Sequence, residues 1–257
     1  MAGLEPCLAA WDDPAVDWAA AGLAVIRSTW NYHHRPDAFN AWAGRVAGQT
    51  QLWNPAPVVQ WNSDKFYLTV LAAADVPVVP TAHLFKGSKA TLPAVVEESG
   101  WRRFVIKPAV SASSHRTMLV SEADLGEGIQ HFDDLLAAGD VLVQPYLTSV
   151  EDYGERAVVW IDGEFTHAVR KSPRFAEDEE SVSDAVPIAA DEIEVARSAL
   201  AQVEGQLLYA RVDLARDARG NPMVMELELI EPSLFLLQSP AALERLVKGL
   251  RSRVSGA

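Results

Sequence analysis

The pair Asp162-Gly163 is the feature that most constrains the fold of this chain. It lies between two runs of alternating apolar and polar residues, in the segment RAVVWIDGEFTHAVRKS. An Asp-Gly pair in that position is the strongest short-range signal for a β-hairpin. A second hairpin is predicted over YARVDLARDARGNPMVMELELIEP, with Gly220-Asn221 in its turn. Because hairpin strands are antiparallel, the second half of the chain is predicted to have α+β character.

Short apolar runs alternate with helical patterns in the rest of the chain. A β-rich run ends in RSTWNY and is followed by the helical pattern DAFNAWAGRVA. Next along the chain we predict the helix KFYLTVLAAAD and a proline-interrupted edge strand, VPVVPTAHLF. They are followed by the helix LPAVVEESG and the strands RFVIKP and TMLV. The helix ADLGEGIQHFDDLLAAG and the strand VLVQPYL complete this part of the prediction. Helices are also predicted over DEIEVARSALAQVEGQLL and PAALERLVKGLRSRV, and the acidic segment 175–185 is predicted to be a mobile loop. This alternation indicates a mixed α/β lobe before the hairpins.

Length and charge restrict the class of protein. A chain of 257 residues can form one large core or two smaller ones, and we expect two lobes. The formal charge of -13 provides no overall attraction for nucleic acid or an anionic membrane, so neither partner is expected. The single cysteine cannot form an intramolecular disulfide, which suits a reducing compartment. No apolar run reaches the ~18 residues of a membrane span. The N-terminus is acidic, whereas the start of an export signal is basic. We therefore expect a cytoplasmic protein that holds any polyanionic ligand with a local cluster of cations.

Carboxylates concentrate on the second hairpin. Glu226 and Glu228 are two residues apart, so both side chains leave the same face of their strand, and Asp213 on the partner strand can meet them. Carboxylates that converge between apolar neighbours repel unless a cation lies among them, and hard oxygen ligands select Mg²⁺ or Mn²⁺. The alternative is a solvated strand face with alternating glutamates. With Asp213 opposite, a metal site is the favoured interpretation.

Four cations lie at strand or helix boundaries: Lys65, Lys107, Lys171 and Arg211. A single lysine at a strand end is usually a surface residue whose stem covers apolar atoms. Four such cations in an acidic protein with a predicted metal site favour phosphate binding instead. Lys107 closes the apolar run FVIKP, and the small-residue loop AVSASSHRT follows it.

Several common motifs are absent from the sequence. There is no P-loop, no GxGxxG after a strand and no GxSxG elbow. His33 and His34 are adjacent rather than four residues apart, so we interpret them as loop residues and not as a zinc pair. Most of the eight tryptophans fall in the first 61 residues and are expected to pack an N-terminal layer.

The order of these motifs resembles that of the ATP-grasp superfamily. It comprises a lysine at a helix start, the strand end Ile-Lys-Pro, a small-residue loop, Gln-Pro-Tyr-Leu, a hairpin, Arg-x-Asp and Glu-x-Glu. The resemblance is to the glutathione-synthetase-like branch, and within it to the cyclo-ligases of D-cycloserine biosynthesis that act on O-ureidoserine. It implies an α+β ATP-grasp fold with two α/β lobes that clamp ATP. A short, truncated α/β N-terminal domain would precede them.

The resemblance also implies domain boundaries and nucleotide-binding residues. The N-terminal domain would span 1–60, the smaller ATP-grasp lobe 61–147 and the larger lobe, with the metal site, 148–257. Lys65 and Lys107 resemble the two lysines that hold the ATP phosphates, and Ser113 would help to cover the phosphates in a loop that lacks glycines. The remaining nucleotide contacts would come from the adenine hinge Gln144, Pro145, Tyr146 and Leu147 and from the ribose-binding Glu151.

The second lobe would supply the chemistry. Lys171 and Arg211 match catalytic positions near the γ-phosphate and the substrate, and Glu228 replaces the asparagine of the usual Glu-x-Asn pair. Asp213, Glu226 and Glu228 would bind Mg²⁺ or Mn²⁺. The substrate candidates are Arg27, Tyr32 and Arg174.

The implied activity is an ATP-dependent, ADP-forming carboxylate–nitrogen ligase that acts through an acyl phosphate on a small amino acid derivative. Ring closure within one molecule is the specific form. An intermolecular amino acid or dipeptide ligase and a non-catalytic ATP-binding module are the alternatives. A homodimer is an open option, since members of the family are often dimers.

Overall fold

The computed structural model describes residues 3–112, 114–172 and 181–255. The strands in these ranges are β1 (Leu23–Val25), β2 (Gln51–Trp53), β3 (Ala82–Leu84), β4 (Arg103–Pro108), β5 (Met118–Ser121), β6 (Val141–Pro145), β7 (Glu155–Ile161), β8 (Glu164–Lys171), β9 (Tyr209–Arg216) and β10 (Pro222–Glu228). The helices are α1 (Pro36–Ala47), α2 (Ala56–Asn62), α3 (Tyr67–Ala73), α4 (Leu92–Ser99), α5 (Leu125–Ala138), α6 (Ser149–Asp152), α7 (Ala190–Leu200) and α8 (Pro240–Ser255). Within this part of the chain, no helix is long and apolar enough to cross a membrane.

Three sheets organise the described residues. β1 and β2 form a parallel pair. Sheet I is antiparallel with the order β3-β6-β4-β5, and sheet II is antiparallel with the order β10-β9-β7-β8. The mixture of helices with antiparallel sheets confirms the predicted α+β class.

The N-terminal layer consists of β1, β2 and α1. Its core is aromatic, with the ring of Trp11 edge-on to Phe39 at 5.3 Å and Phe39 stacked on Trp42 at 5.2 Å. Phe39, Trp42 and Val46 are buried at helical spacing along α1, which explains why this segment forms a helix. The expected packing role of the tryptophans therefore holds for Trp11 and Trp42. Trp30 differs, since half of its surface is exposed.

Sheet I has helices α4 and α5 packed on it. Thr91 begins α4 with a hydroxyl that accepts a hydrogen bond from the Ala94 backbone nitrogen, and Gly100 ends the helix with a left-handed backbone. The apolar faces of β4 and α5 bury Phe104 and Phe132 completely or nearly so. The predicted edge strand is confirmed, although it is limited to the three residues of β3 that follow the prolines.

Sheet II contains both predicted hairpins. Asp162 and Gly163 have φ angles of 45° and 94°, the positive pair that a tight two-residue hairpin turn requires. Each hairpin also has a register shift in its pairing, between Val159 and Trp160 in one and between Val224 and Glu226 in the other. These irregularities decide which charged residues face one another in the site.

Two short elements and one loop differ from the prediction or lie outside it. No helix was predicted within LWNPAPVVQWNSDK, but α2 occupies the middle of this segment, because a proline in the first helical turn lacks only a donor that has no partner there. The one-turn helix α6 was also not predicted. Asp64 does not cap the next helix, because α3 begins at Tyr67 and its N-cap is Phe66; the Asp64 carboxylate instead accepts from the Phe66 nitrogen at 2.8 Å in the turn before the helix. Most of the predicted mobile loop at 175–185 lies outside the described residues.

Buried hydrogen bonds join the N-terminal half of the chain to sheet II. Asn54 Nδ2 donates to the carbonyls of Tyr209 (2.9 Å) and Leu229 (2.7 Å). Asn62 Nδ2 donates to the Leu227 carbonyl at 2.8 Å, and its Oδ1 accepts from the Leu229 nitrogen at 2.8 Å. Both asparagine side chains thus replace strand partners that the backbone of this region would otherwise lack.

Candidate active site

A cleft of about 440 Å³ lies between sheets I and II and is closed at one end by the N-terminal layer. This volume is within the usual range for a small-molecule site. Eleven of the predicted site residues line it: Tyr32, Lys65, Lys107, Gln144, Pro145, Tyr146, Leu147, Lys171, Arg211, Glu226 and Glu228. Asp213, Glu151 and Arg27 do not line the cleft, and Ser113 and Arg174 lie outside the described residues.

Lys65 holds the small-residue loop and one carboxylate together. Its Nζ donates to the Ser111 carbonyl at 2.8 Å and to the Ser111 hydroxyl at 3.2 Å. The same ammonium group lies 3.0 Å from Glu226 Oε1 across the cleft. Its backbone nitrogen donates to the Ala109 carbonyl at 3.0 Å, so both ends of this lysine fix the start of the loop.

Lys107 is the contrasting cation. It is only 9% exposed, and no carboxylate in the described part of the chain lies within ion-pair distance of its Nζ. Burial lowers the pKa of Lys107, and the charge of Lys65 adds to that effect. This buried ammonium group is therefore a strong position for an anion.

The hinge segment lies at the apolar end of the cleft. Gln144 is buried and its amide donates to the Thr81 hydroxyl at 2.9 Å, while the backbone nitrogen of Tyr146 donates to the Arg103 carbonyl at 2.8 Å. The facing surfaces here are apolar and come from Val79, Val105, Leu147, Met225 and Leu227. Apolar side chains thus line the cleft beside the backbone of the hinge segment.

Glu151 lies beside the cleft, not in its lining. Its carboxylate pairs with Arg103 at 3.1 Å and accepts a hydrogen bond from the Tyr146 hydroxyl at 2.9 Å. Burial and this hydrogen bond raise the pKa of Tyr146 to about 12. The guanidinium of Arg103 lies over the Tyr146 ring, 4.2 Å from its centroid. The three side chains support the hinge from outside.

Asp213 is at the centre of a buried ion network. Its Oδ1 accepts from Arg211 Nε and its Oδ2 from Arg211 Nη2, both at 2.8 Å, and Lys171 Nζ donates to Oδ2 at 2.8 Å. Lys171 also pairs with Glu155, and Arg211 with Glu228. Burial opposes ionisation of Asp213, but Arg211 and Lys171 outweigh it and lower its pKa. Asp213 therefore stays ionised and fixes the two cations that line the cleft.

The carboxylates of β10 face the cleft as predicted. Asp213 pairs directly across the hairpin with Glu226, and Arg211 with Glu228. Burial raises the pKa of Glu228 to about 7 despite the opposing charge of Arg211, and Asp213 and Glu226 raise it further. Glu231 lies just beyond the strand, where burial, together with the charge of Glu228, raises its pKa to about 8.

The chemistry of this donor set fits a divalent cation. Glu226 and Glu228 present carboxylate oxygens to the same cleft, and the pKa of Glu228 is raised because burial and neighbouring carboxylates oppose its charge. A hard dication would relieve both effects, and carboxylate oxygens are the ligands it prefers. Asp213 was predicted as a third ligand, but each of its oxygens already accepts from a cation.

Of the predicted substrate residues within the described ranges, Tyr32 lines the cleft and Arg27 does not. Tyr32 lines the cleft, and burial, with the charges of Glu231 and Glu226, raises the pKa of its hydroxyl. Arg27 instead donates to the Pro232 carbonyl at 2.8 Å and lies over the Tyr209 ring. Arg27 therefore contacts Pro232 and Tyr209, which do not line the cleft.

Trp30, Glu155 and Glu231 are among the further lining residues that were not predicted site residues. Glu155 pairs with Lys171 across the first hairpin, and burial raises its pKa to about 7. A glutamate that opens a strand is a usable sequence signal when the hairpin partner of that strand ends in a predicted site lysine and the register is known.

Two sheets that face each other across a cleft lined by lysines and carboxylates define the ATP-grasp class of ligases. The ATP-grasp ligase PsnB complexed with minimal precursor, Mg and ADP has this fold, with a TM-score of 0.60 and 19% identity over 91% of this chain and 78% of that one. The family model for the N-terminal domain of D-cycloserine synthetase DcsG matches residues 1–54. The crystal structure of D-cycloserine synthetase DcsG aligns with a TM-score of 0.89 and 34% identity, over 98% of this chain and 91% of that one.

The cycloserine biosynthesis protein DcsG of Streptomyces lavendulae is 36% identical over 264 residues, which cover 95% of this chain and 87% of that protein. The chain belongs to the DcsG family of ATP-grasp ligases. The resemblance found in the sequence is therefore confirmed, and membership of this family indicates ATP-dependent ligase activity.

Proposed function

We propose that this protein is an ADP-forming carboxylate–nitrogen ligase that activates a small amino acid derivative as an acyl phosphate. The observation that carries the proposal is the convergence of Lys65, Lys107, Lys171 and Arg211 with two glutamates in one cleft. Phosphoryl transfer needs positioning and charge neutralisation more than covalent help from the protein. This cleft supplies both.

The nucleotide would lie along sheet I. The apolar side chains of Val105 and Leu147 would contact the faces of a purine, and the backbone of the Gln144–Leu147 hinge lies beside them. The phosphates would then extend towards Lys107, the buried ammonium group without an ion-pair partner in the described residues, and Lys65. Binding an anion there would favour the charged state that burial of Lys107 opposes.

Glu226 and Glu228 would hold the magnesium that accompanies the nucleotide. When bound, such a cation neutralises phosphate oxygens and so favours displacement at phosphorus. Asp213 is assigned a positioning role in this proposal, because it orients Lys171 and Arg211 through the hydrogen bonds of the network.

The reaction would proceed in two steps. A carboxylate oxygen of the substrate attacks the γ-phosphorus of ATP, the bond to the β,γ-bridging oxygen breaks, and ADP leaves with that electron pair. A nitrogen then attacks the acyl carbon, loses a proton to solvent and displaces inorganic phosphate. Lys171 and Arg211 would offset the negative charge that develops during both steps.

The substrate would occupy the end of the cleft bounded by Trp30, Tyr32 and Glu231. This end offers an aromatic surface, a phenol and a carboxyl group whose pKa is raised to about 8, which together can contact a small polar molecule. Kinship with D-cycloserine synthetase supports ring closure, in which the nucleophilic nitrogen belongs to the same molecule as the activated carboxylate.

Nucleotide turnover tests the proposal. The protein is incubated with Mg-ATP and a panel of amino acids that includes O-ureidoserine, with hydroxylamine in parallel, and ADP is resolved from AMP. We expect ADP with one carboxylate, a hydroxamate trapped from it, and a product that contains one substrate molecule. A product built from two substrates would indicate an intermolecular ligase. Saturable ATP binding without ADP from any carboxylate, or formation of AMP, would refute the proposal.

A pair of glutamate variants tests the metal assignment. Glu226→Gln removes a cleft carboxylate, and Glu244→Gln removes an exposed one on α8. We expect the first to abolish magnesium-dependent ADP release and the second to leave it unchanged. Equal rates in the two variants would remove Glu226 from the site.

A further inference from the structure

Three histidines form a cluster next in sequence to Tyr32 and Ser114, which line the cleft. His33 and His34 end the 3-10 helix Tyr32–His34, and His115 lies in the loop between β4 and β5. One ring nitrogen from each lies within 4.8 Å of the other two. The ring centroids of His33 and His34 are 4.0 Å apart, and those of His33 and His115 are 4.9 Å apart. Residues more than eighty positions apart in sequence thus form a single imidazole cluster.

The hydrogen bonding of His33 leaves one ring nitrogen available. Its Nδ1 lies 2.9 Å from the Trp30 carbonyl oxygen, and a carbonyl only accepts, so Nδ1 carries the proton. The Nε2 atom therefore has a lone pair, and it is buried without a hydrogen-bond partner in the described part of the chain. A backbone carbonyl that fixes the opposite nitrogen is the usual support of a metal-bound histidine.

The two other rings of the cluster can adapt to a metal. His34 and His115 are exposed, so their rings can turn towards the third at little cost. Zinc–nitrogen bonds of ~2.0–2.1 Å place ligand nitrogens roughly 3.4 Å apart. The two exposed rings would therefore need to move inward by roughly 1 Å to bind zinc.

We propose that His33, His34 and His115 form a binding site for a divalent transition metal, with zinc as its natural occupant. Three imidazoles with a water molecule in the fourth position satisfy the tetrahedral coordination of zinc. The site differs from the glutamate pair of β10, whose hard oxygen ligands suit magnesium. It is therefore separate from the proposed catalytic cation and does not depend on the proposed reaction.

The position of this site gives it a structural consequence. The 3-10 helix belongs to the N-terminal half of the chain, whereas His115 follows Ser111 and Ser114 in the loop that borders the cleft. A bound metal would tie that loop to the segment that carries Trp30 and Tyr32. It would hold these two segments in one arrangement whether or not nucleotide is present.

Cobalt provides a direct test, because tetrahedral Co²⁺ has strong visible absorption that hexaaqua Co²⁺ lacks. Metal-free protein is titrated with Co²⁺ in the presence of millimolar Mg²⁺, and Zn²⁺ is then added as a competitor. We expect one tetrahedral Co²⁺ per chain, displaced by one equivalent of Zn²⁺. Hydrogen exchange of the amides at 114–117 should slow when zinc is bound, which reports on the loop without any assay of activity.

Variants decide whether these three residues are the ligands. We expect His34→Ala and His115→Ala each to weaken binding by more than the ~10–100-fold that follows loss of a residue that only supports a ligand. His131→Gln is the matched control, since His131 contacts the same loop through the Arg116 carbonyl but is not in the cluster, and it should bind as tightly as the wild type. Glu226→Gln should also retain the cobalt spectrum. No tetrahedral spectrum in the wild type, or a spectrum that survives His115→Ala, would overturn the proposal.

Discussion

The two walls of the cleft handle buried charge in opposite ways. On the wall formed by sheet I, Lys107 is buried without an ion-pair partner in the described residues. On the wall formed by sheet II, Lys171 and Arg211 are equally buried, but Asp213 accepts hydrogen bonds from both. The first wall leaves its charge for a ligand to satisfy, whereas the second satisfies its charges internally. Removing a charge should therefore affect binding on one wall and folding on the other.

The largest effect is expected at Asp213. Asp213→Ala leaves Lys171 and Arg211 buried without their shared partner, and such a change costs ~3–5 kcal/mol. We expect the free energy of unfolding in urea to fall by that amount. Glu244→Gln, at an exposed carboxylate, should leave it unchanged. An Asp213 variant as stable as the control would show that the second wall is not internally compensated.

Lys107→Met should have a smaller effect, of a different kind. Burial lowers the pKa of Lys107, so removing this charge should leave the free energy of unfolding unchanged or raise it. Affinity for Mg-ATP should fall by about 100-fold, or ~2.7 kcal/mol, because a charge-assisted contact to phosphate is lost.

Calorimetric titration with Mg-ATP and urea denaturation measure the two quantities in parallel. The matched control is Lys89→Met, which removes an exposed lysine from the same lobe and should change neither. If Lys107→Met destabilised the fold yet bound ATP normally, the contrast between the walls would be reversed.

Glu231→Gln gives the smallest effect and depends on pH. The pKa of Glu231 is raised to about 8, so between about pH 4.5 and 8 the folded state retains a proton that the unfolded chain releases. Wild-type stability therefore falls as pH rises through this window, and the glutamine variant escapes the loss. In magnesium-free buffer we expect the free energy of unfolding of the variant to equal that of the wild type near pH 4.5. At pH 9 it should exceed the wild-type value by roughly 2 kcal/mol, which is less than the full conversion of ~1.4 kcal/mol per pKa unit would give.

Urea denaturation at several pH values provides the measurement. Glu97→Gln, at an exposed carboxylate on α4, should follow the wild type at every pH. A constant difference between Glu231→Gln and the wild type would mean that this carboxyl group is not protonated in the folded state at neutral pH.

The sequence predicted the hairpins because their signals are local. The Asp162-Gly163 turn needs only two residues with positive φ. Short elements were harder. The helix α2 was missed since a proline that begins a helix and one that ends it look the same in sequence.

The pairing of charges across the hairpins could not be read in the same way. Counting outward from Asp162-Gly163 in an unbroken register places Lys171 opposite Gly154, but the register shift places it opposite Glu155. In the second hairpin the same kind of shift moves Asp213 from Met225 to Glu226. Two one-residue irregularities thus assemble the ion network, and the tertiary packing that fixes them leaves no local signature.

The buried amides of Asn54 and Asn62 have a mechanical consequence. They bond the backbone of β9 and β10 to the segments that follow β2 and end α2, so the N-terminal layer and sheet II are expected to move as one unit. When no metal joins His115 to His33 and His34, the cleft would open by movement of sheet I relative to this unit, about the chain that leads into β3 and out of β6. Nucleotide bound to sheet I would then move towards Lys171 and Arg211, whose positions relative to the N-terminal layer would stay fixed.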